Sequence, residues 1–461
     1  MKTNRRIIRV LIVVSALFLA LLSYLLYFNM FEAERVSTNP YNRRQWDDER
    51  YVTRGTIYDA DGLVLAETVE NESGGVMRKY PQGRIYSHVI GYCSQVYGKS
   101  LLEREYDSEL LGKGDLDLFQ GDKKKGFDLN LTIANSLQKY AYEQMRGKRG
   151  ALVAMNPQTG KILAMISLPD FDPNAATLEK SWGDIVENEN SPLIARAVQG
   201  LYPPGSTYKI VTAAAAYENG LAGTKFNDEG KFTVGDLTVE NYNGKKYGEI
   251  SIEKAFAVSS NQVFCSVGFE LGSEIIKEIS ERFWIGKSIE FDLQTAASRI
   301  EYKKMSDSDS ALVAIGQGQL LTTPMEMAVI CSAIANGGEI IRPYLVDSIT
   351  KNETVVKSSK EKVLGRAISE ECAEYVKERM IETVNEGTGT KARISGVTVA
   401  GKTGTAENEN EKDHAWFVGF APAETPEIAV AVILENDGRS GGDSAAPIAR
   451  NVMSRYLSSV K

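Results

Sequence analysis

The N-terminal part of the chain contains an apolar run that can fold in only one way. Residues 10–28 carry no charged side chain, and an α-helix of that length crosses the roughly 30 Å apolar layer of a bilayer. Because no water reaches the backbone in that layer, the run must be helical. Basic residues precede the run and acidic residues follow it, namely Lys2, Arg5, Arg6, Arg9, Glu32 and Glu34. This bias predicts a single-pass anchor in the cell membrane, with residues 1–9 in the cytoplasm and the bulk of the chain outside it.

A cleaved signal peptide is the alternative for the same run. Its apolar core usually has about 7 to 15 residues and precedes an A-x-A-like cleavage site. The run found here is longer and no such site follows it. The uncleaved anchor is therefore favoured.

Length and composition bound the rest of the chain. Its 461 residues predict two or three domains, and 43% hydrophobic with 25% charged residues is typical of globular proteins. A net charge of −8 argues against nucleic acid as the main partner. The four cysteines have no C-x-x-C spacing and there are two histidines, so we expect no metal and no cofactor.

Three short polar strings follow in a fixed order. They are S-x-x-K at residues 206–209, S-x-N at residues 259–261 and K-T-G-T at residues 402–405. Together they supply a serine nucleophile, amines that move protons and a cation that can hold a carboxylate. The long gaps between them require a fold that brings them into one pocket.

S-x-x-K alone is weak evidence, because it begins at six serines: Ser136, Ser206, Ser251, Ser348, Ser359 and Ser458. Only Ser206 follows a Pro-Pro-Gly turn and precedes an Ala-rich helix, whose N-terminus favours developing negative charge. Lys209 lies three residues on, on the same helical face. A buried lysine has a lowered pKa and can take the serine proton. The alternative is that Ser206 is only a helix N-cap.

The other two strings also have simpler readings. Ser259 can relay a proton to a leaving amine and Asn261 can hold a peptide carbonyl, although the string alone resembles a polar turn. Residues 396–403 match the phosphate-loop pattern G-x-x-x-x-G-K-T. That pattern needs a helix after it, whereas residues 397–399 are β-branched and residues 404–410 resemble a hairpin tip. Nucleotide binding is therefore disfavoured.

Apolar periodicity predicts an α+β fold. Two hairpins are expected, around the D-x-D-G turn at residues 59–62 and between residues 151–155 and 162–167. Helices and strands are expected at 208–219, 323–336, 367–386 and 444–458, and at 396–404, 414–420 and 428–435. Strands at both ends with helices between them predict an antiparallel sheet flanked by helices.

Together the strings resemble those of class B penicillin-binding proteins, the membrane-anchored peptidoglycan D,D-transpeptidases. The resemblance extends through residues 54–59, 80–81, 88–92, 103, 106–107, 150–155, 159–160, 172–174, 316–318, 323–324 and 416–419. It implies a cytoplasmic tail, a transmembrane anchor, a small β-rich pedestal and a transpeptidase domain like that of serine β-lactamases. Their ranges are 1–9, 10–28, 29–148 and 149–461.

The resemblance also implies a role for each site residue. Ser206 attacks the penultimate D-Ala carbonyl of a stem peptide, Lys209 is its base, and Ser259 with Lys402 protonates the departing D-Ala. The backbone N–H groups of Ser206 and Thr405 form the oxyanion hole. Substrate binding falls to Asn261, Thr403, Gly404 and Thr405, and Lys402 also holds the terminal carboxylate.

The implied partners are peptidoglycan stem peptides, β-lactams and a SEDS-family glycosyltransferase in the membrane. A serine β-lactamase shares the three strings, but it usually has neither an anchor nor a pedestal. A penicillin-sensing domain of the same fold is the other alternative. A sensor normally carries a cytoplasmic effector domain, and nine residues precede the apolar run here.

Overall fold

The computed structural model describes residues 2–32, 52–70, 76–112, 124–301, 305–408 and 412–460. The first helix, α1 (Lys2–Tyr27), continues as a π-helical turn, Phe28–Glu32. Over Ile7–Glu32 it is long and apolar enough to cross a membrane, and none of it is buried against the rest of the described chain. The helix predicted for residues 10–28 is confirmed.

Short strands and short helices form the N-terminal globular part. β2 and β3 pair antiparallel across the turn at residues 59–62, which confirms the first predicted hairpin. The elements, in chain order, are β1 (Val52–Thr53), β2 (Ile57–Tyr58), β3 (Val64–Glu70), β4 (Val76–Lys79), α2 (Ser87–Ile90), β5 (Cys93–Ser94), β6 (Gly98–Lys99), α3 (Leu101–Glu105), α4 (Asp107–Leu110), β7 (Lys124–Lys125) and β8 (Asp128–Leu131).

Longer helices and a larger sheet follow. The helices are α5 (Asn135–Met145), α6 (Ala175–Glu187), α7 (Arg196–Gln199), α8 (Lys209–Glu218), α9 (Ile252–Val258), α10 (Asn261–Arg282), α11 (Asp307–Ala314), α12 (Pro324–Ala335), α13 (Glu370–Asn385) and α14 (Gly441–Val460). The strands are β9 (Gly150–Met155), β10 (Ile162–Leu168), β11 (Lys225–Asp228), β12 (Lys231–Val234), β13 (Leu237–Glu240), β14 (Gly248–Ser251), β15 (Glu339–Ile341), β16 (Val346–Lys351), β17 (Thr354–Ser358), β18 (Val363–Arg366), β19 (Ala400–Ala406), β20 (His414–Ala421) and β21 (Ile428–Leu434).

The central sheet has five antiparallel strands in the order β10-β9-β21-β20-β19. Alternate residues of β9 and β21 belong to two separate cores, one on each face of the sheet. α12 packs on one face, and α5 and α14 pack on the other. Burial on both faces explains why β21 is apolar throughout. The predicted α+β class, with helices on both sides of an antiparallel sheet, is confirmed.

The strand predicted for residues 396–404 is displaced. Ile394 and Val397 form an isolated bridge around Gly396, whose φ is 74°, and the sheet strand β19 begins only at Ala400. β19 then continues to Ala406, which pairs with His414 of β20. Strand propensity at residues 397–399 is overridden by the turn, and pairing with β20 extends the far end.

A second sheet joins distant parts of the chain. Its strand order is β17-β16-β8-β2-β3-β4, so two strands near residue 350 extend the sheet that begins at residue 57. Ile349 of β16 lies opposite Leu129 of β8. The predicted division at residues 148 and 149 is thus crossed by a continuous hydrogen-bonded sheet.

A buried ionic network lies beneath this sheet. The Glu103 carboxylate accepts hydrogen bonds from Arg54 Nε at 2.6 Å and from Arg78 Nε at 2.7 Å. Arg54 also donates to Asp107 at 2.5 Å, and Tyr80 donates to Glu103 at 3.2 Å. Burial alone would raise the pKa of Glu103, but the guanidinium groups of Arg78 and Arg54 outweigh it and lower that pKa. The carboxylate therefore stays ionised in the interior.

We expect Glu103→Ala to destabilise the protein by about 3–5 kcal/mol, because it removes the counter-charge of the buried Arg78 guanidinium and one of the two carboxylates that pair with Arg54. Urea unfolding of the full chain in detergent measures the loss. Glu249→Ala is the matched control, since Glu249 pairs with Lys225 on the surface and should change stability little. Equal effects of the two substitutions would contradict the prediction.

Candidate active site

The nucleophile candidate lies in a single 3-10 turn, Gly205–Tyr208, that leads directly into α8. Gly205 has a φ of 54°, and a Cβ there would lie 2.8 Å from the Thr405 carbonyl oxygen. Glycine is needed for the turn to approach β19 this closely. Ser206 is partly exposed, while Thr207 and Lys209 are buried. The helix-start position predicted for Ser206 is therefore what the fold provides.

Lys209 is completely buried beside this turn. Its Nζ donates to Asn261 Oδ1 at 2.8 Å, to Ser259 O at 2.9 Å and to Ser260 O at 3.1 Å. Burial lowers the pKa of Lys209 to about 7. A neutral amine is thus accessible near neutral pH, and a neutral amine can act as a base.

Lys402 is the second buried amine. Its Nζ donates to Ser259 Oγ at 2.9 Å and to Thr403 O at 3.2 Å. Burial, and then the neighbouring Lys209, lower the pKa of Lys402 well below its ordinary value. Within the part of the chain that the structure describes, neither lysine forms an ion pair with a carboxylate.

Ser259 connects the two amines. It separates α9 from α10 in the left-handed conformation, with a φ of 61°. That conformation is uncommon for a serine. Its Oγ lies 2.9 Å from Lys402 Nζ and 3.4 Å from Lys209 Nζ. The hydroxyl can therefore pass a proton between them.

The residues assigned to substrate binding surround these amines. Asn261 accepts from Lys209 through Oδ1 and donates through Nδ2 to Glu240 O at 3.0 Å, which leaves one amide hydrogen for a ligand. Thr403 and Thr405 lie on β19, the edge strand of the central sheet. An edge strand turns alternate N–H groups away from its neighbour, and the Ser206 turn packs against this strand.

Gly404 serves the packing of the site. A Cβ at this position would lie 3.0 Å from Pro204 O and 3.0 Å from the Thr207 methyl carbon. Its lack of a side chain lets β19 lie against the Ser206 turn.

The structure adds residues that the sequence did not single out. The hydroxyl groups of Thr388 and Thr403 form a hydrogen bond of 2.6 Å. The residue before Thr388 is Gly387, and a Cβ at that position would lie 2.1 Å from Ala257 O. In the sequence, the G-T-G run at residues 387–389 was the feature that could have indicated Thr388. Asp228 and Asn241 lie behind Ser260, where β11 and β13 end, and the sequence alone did not single them out.

The geometry removes the basis of the phosphate-loop alternative and gives both histidines structural partners. The phosphate-loop match fails because residues 400–406 form a strand paired with β20 along its full length, and the described residues between β19 and β20 contain no helix. The two histidines face backbone groups: His88 meets Ser167 O and Pro192 O, and His414 accepts from Asn436 N. Both have structural partners outside the pocket.

Comparisons with known proteins identify the fold. Residues 150–454 match the penicillin binding protein transpeptidase domain, and residues 54–127 match the penicillin binding protein A dimerisation domain. The peptidoglycan D,D-transpeptidase PbpA of Mycolicibacterium smegmatis is 32% identical over 98% of this chain and 99% of its own length. Stage V sporulation protein D of Bacillus subtilis is 32% identical over 86% of this chain and 65% of its own length.

Solved structures agree with these relatives. The ceftriaxone acyl-enzyme complex of penicillin-binding protein A from Mycobacterium tuberculosis superposes with a TM-score of 0.84 at 32% identity, covering 89% of this chain and 99% of that one. A D,D-transpeptidase domain from Eggerthella lenta gives 0.81 at 37% identity, with the same coverage. The chain belongs to the class B penicillin-binding proteins, the family of peptidoglycan D,D-transpeptidases.

Proposed function

We propose that the protein cross-links peptidoglycan stem peptides through an acyl-enzyme on Ser206. The observation that carries this proposal is the convergence of Lys209 and Lys402 on the Ser259 hydroxyl beside the Ser206 turn. Ser206 Oγ bonds to the penultimate D-Ala carbonyl carbon while Lys209 takes its proton. The amide bond to the terminal D-Ala breaks, and its nitrogen receives a proton through Ser259 and Lys402.

The acyl-enzyme is then attacked by the amino group of a second stem peptide, and Ser206 regains its proton. The negative oxygen that develops in each step is held by the backbone N–H groups of Ser206 and Thr405, where one such donor contributes about 3–4 kcal/mol in comparable sites. A β-lactam forms the same ester but keeps its leaving group attached, so the ester persists.

Carboxylate recognition is assigned to Lys402, Thr403 and Thr405. The Lys402 ammonium has no counter-charge among the described residues, and a substrate carboxylate would supply one. Asn261 offers its remaining amide hydrogen to a peptide carbonyl. Support for these roles comes from the geometry of β19 against the Ser206 turn.

We expect penicillin G to add once to the full chain in membranes, and Ser206→Ala to abolish the adduct, because the hydroxyl is the nucleophile. Intact-mass analysis measures the mass of the penicilloyl adduct and the number of adducts on each chain. Ser136→Ala, which changes the exposed serine of the S-x-x-K string on α5, should label normally. An adduct that survives in Ser206→Ala would overturn the assignment, and rapid steady-state hydrolysis of the penicillin would favour the β-lactamase alternative.

The acylation rate should rise with pH through about pH 7 and level off above it, because only the neutral Lys209 amine accepts the serine proton. Lys209→Ala should slow acylation by about 10²–10⁴-fold. It should also remove the rise of the rate below about pH 7, which is the acid limb of the pH profile. Stopped-flow acylation across pH 5–9 tests both outcomes, with the exposed Lys139→Ala as control. A limb that persists in Lys209→Ala would assign the base to another group.

Lys402→Ala should weaken acylation by carboxylate-bearing β-lactams by about 1.5–3 kcal/mol, the contribution of a charge-assisted hydrogen bond. An analogue without the carboxylate should react poorly with the wild type and lose much less from the same substitution. The two changes remove one interaction, so their effects should not add. Equal losses for both compounds would show that Lys402 acts only in proton transfer.

We also propose that residues 1–9 are cytoplasmic and that a SEDS-family glycosyltransferase contacts the protein in the membrane. Basic residues before the apolar run at residues 10–28 support the orientation, and the unburied length of α1 is available to a membrane partner. A reporter fused after Lys461 should be active only outside the cytoplasm, and activity inside would reverse the orientation. Co-purification of the glycosyltransferase should fail when α1 is replaced by an unrelated anchor.

A further inference from the structure

A buried polar cluster lies directly behind the second string. It consists of Asp228 at the end of β11, Asn241 after β13, and Ser260, and at most 3% of any of the three is exposed. Ser260 Oγ donates to Asp228 Oδ2 at 2.6 Å, and Asn241 Nδ2 donates to the two carboxylate oxygens at 2.8 and 3.0 Å. We call these three residues the Asp228 cluster.

The cluster fixes the first turn of α10. Asn241 Oδ1 accepts from the backbone N–H groups of Asn261 at 2.8 Å and Gln262 at 2.9 Å. The same backbone carries three acceptors of Lys209 Nζ, which are Ser259 O, Ser260 O and Asn261 Oδ1. Movement of this turn would therefore displace the Lys209 amine.

Asp228 itself is unusual. In the part of the chain that the structure describes it has no ion-pair partner, and only neutral donors (Ser260, Asn241 and the Gly230 N–H) bond to it. Burying a carboxylate without a paired cation costs free energy. A neutral side chain could hold the same turn at a lower free-energy cost. Its charge opposes the effect of burial on Lys209 and raises the pKa of that amine.

We propose that Asp228 and Asn241 are positioning residues for acyl transfer: Asn241 holds the acceptors around Lys209, and Asp228 supplies the negative charge that the amine lacks among its direct contacts. This inference rests on the proposed role of Lys209 as base. Three titratable groups face Lys209, namely Lys402 across Ser259, Cys265 on α10, and Asp228. Asp228 is the carboxylic acid among these three groups, and Tyr247 lies next to it.

The test is the pH profile of β-lactam acylation by the full chain. Asp228→Asn keeps the shape and removes the charge, so less of Lys209 is protonated at a given pH. The acid limb should move to lower pH by about half a unit or more. Ser260→Ala removes the hydrogen bonds of the Ser260 hydroxyl to Asp228, Asn241 and Val263 N but keeps the charge, and its limb should stay in place. Asp292→Asn, a remote carboxylate that accepts from Leu345 and Val346 N–H, should leave both the rate and the limb unchanged.

Asn241→Ala tests the proposed role of Asn241 in holding the acceptors around Lys209. This variant also keeps the proposal testable if Asp228→Asn does not fold. The maximum acylation rate constant should fall by about 10- to 100-fold, as expected from a misplaced base. The β-lactam concentration at half-maximal rate should change little. An unmoved limb in folded Asp228→Asn, or a normal maximum rate in folded Asn241→Ala, overturns the proposal. Failure of the wild type to acylate at Ser206 would instead refute the function on which it rests.

Discussion

Two buried lysines share one hydroxyl in this protein, and the rest of the site is arranged to make that possible. Burying an ammonium group without a counter-charge costs several kcal/mol. Here the cost is reduced by carbonyl and hydroxyl acceptors, four of which belong to residues 259–261 and meet Lys209 Nζ. These acceptors converge because Ser259 adopts a left-handed conformation between α9 and α10. The site therefore depends on that one backbone reversal.

The missing counter-charge would couple the proposed recognition of a carboxylate by Lys402 to the proposed action of Lys209 as a base. A carboxylate placed beside Lys402 would favour the ammonium form of Lys402, since an opposite charge stabilises the charged state. The resulting cation then disfavours a proton on Lys209 across Ser259. Binding of a D-Ala-terminated substrate would thus leave Lys209 neutral, the form that accepts the Ser206 proton. Two amines without paired carboxylates can exchange a proton in this way. A lysine paired with an aspartate would stay protonated, because the opposite charge stabilises the ammonium form.

The sequence predicted the parts of the structure whose patterns are local. The sharp turn and the helix at Ser206, both hairpins and the apolar strand β21 follow from turn residues and periodicity. β19 was placed four residues too early, because a turn at Gly396 overrides the strand propensity of residues 397–399. β16 joins β8 across more than two hundred residues, and no local pattern encodes such a pairing. Asp228 and Asn241 were missed for the same reason, since only the fold brings them behind Ser260.

Some of the residues that carry the family resemblance contribute to the contact between the N-terminal globular part and the transpeptidase domain. Asn174 accepts from Tyr80 N at 2.9 Å and donates to Tyr80 O at 3.1 Å, and Tyr80 also reaches the Glu103 network. His88 is buried between Ser167 O and Pro192 O, and burial lowers its pKa to about 4. A neutral ring therefore stays in this joint across the physiological pH range. Together with the six-stranded sheet, these contacts fix the pedestal to the catalytic domain, so the position of Ser206 relative to the pedestal is set by packing rather than by a flexible linker.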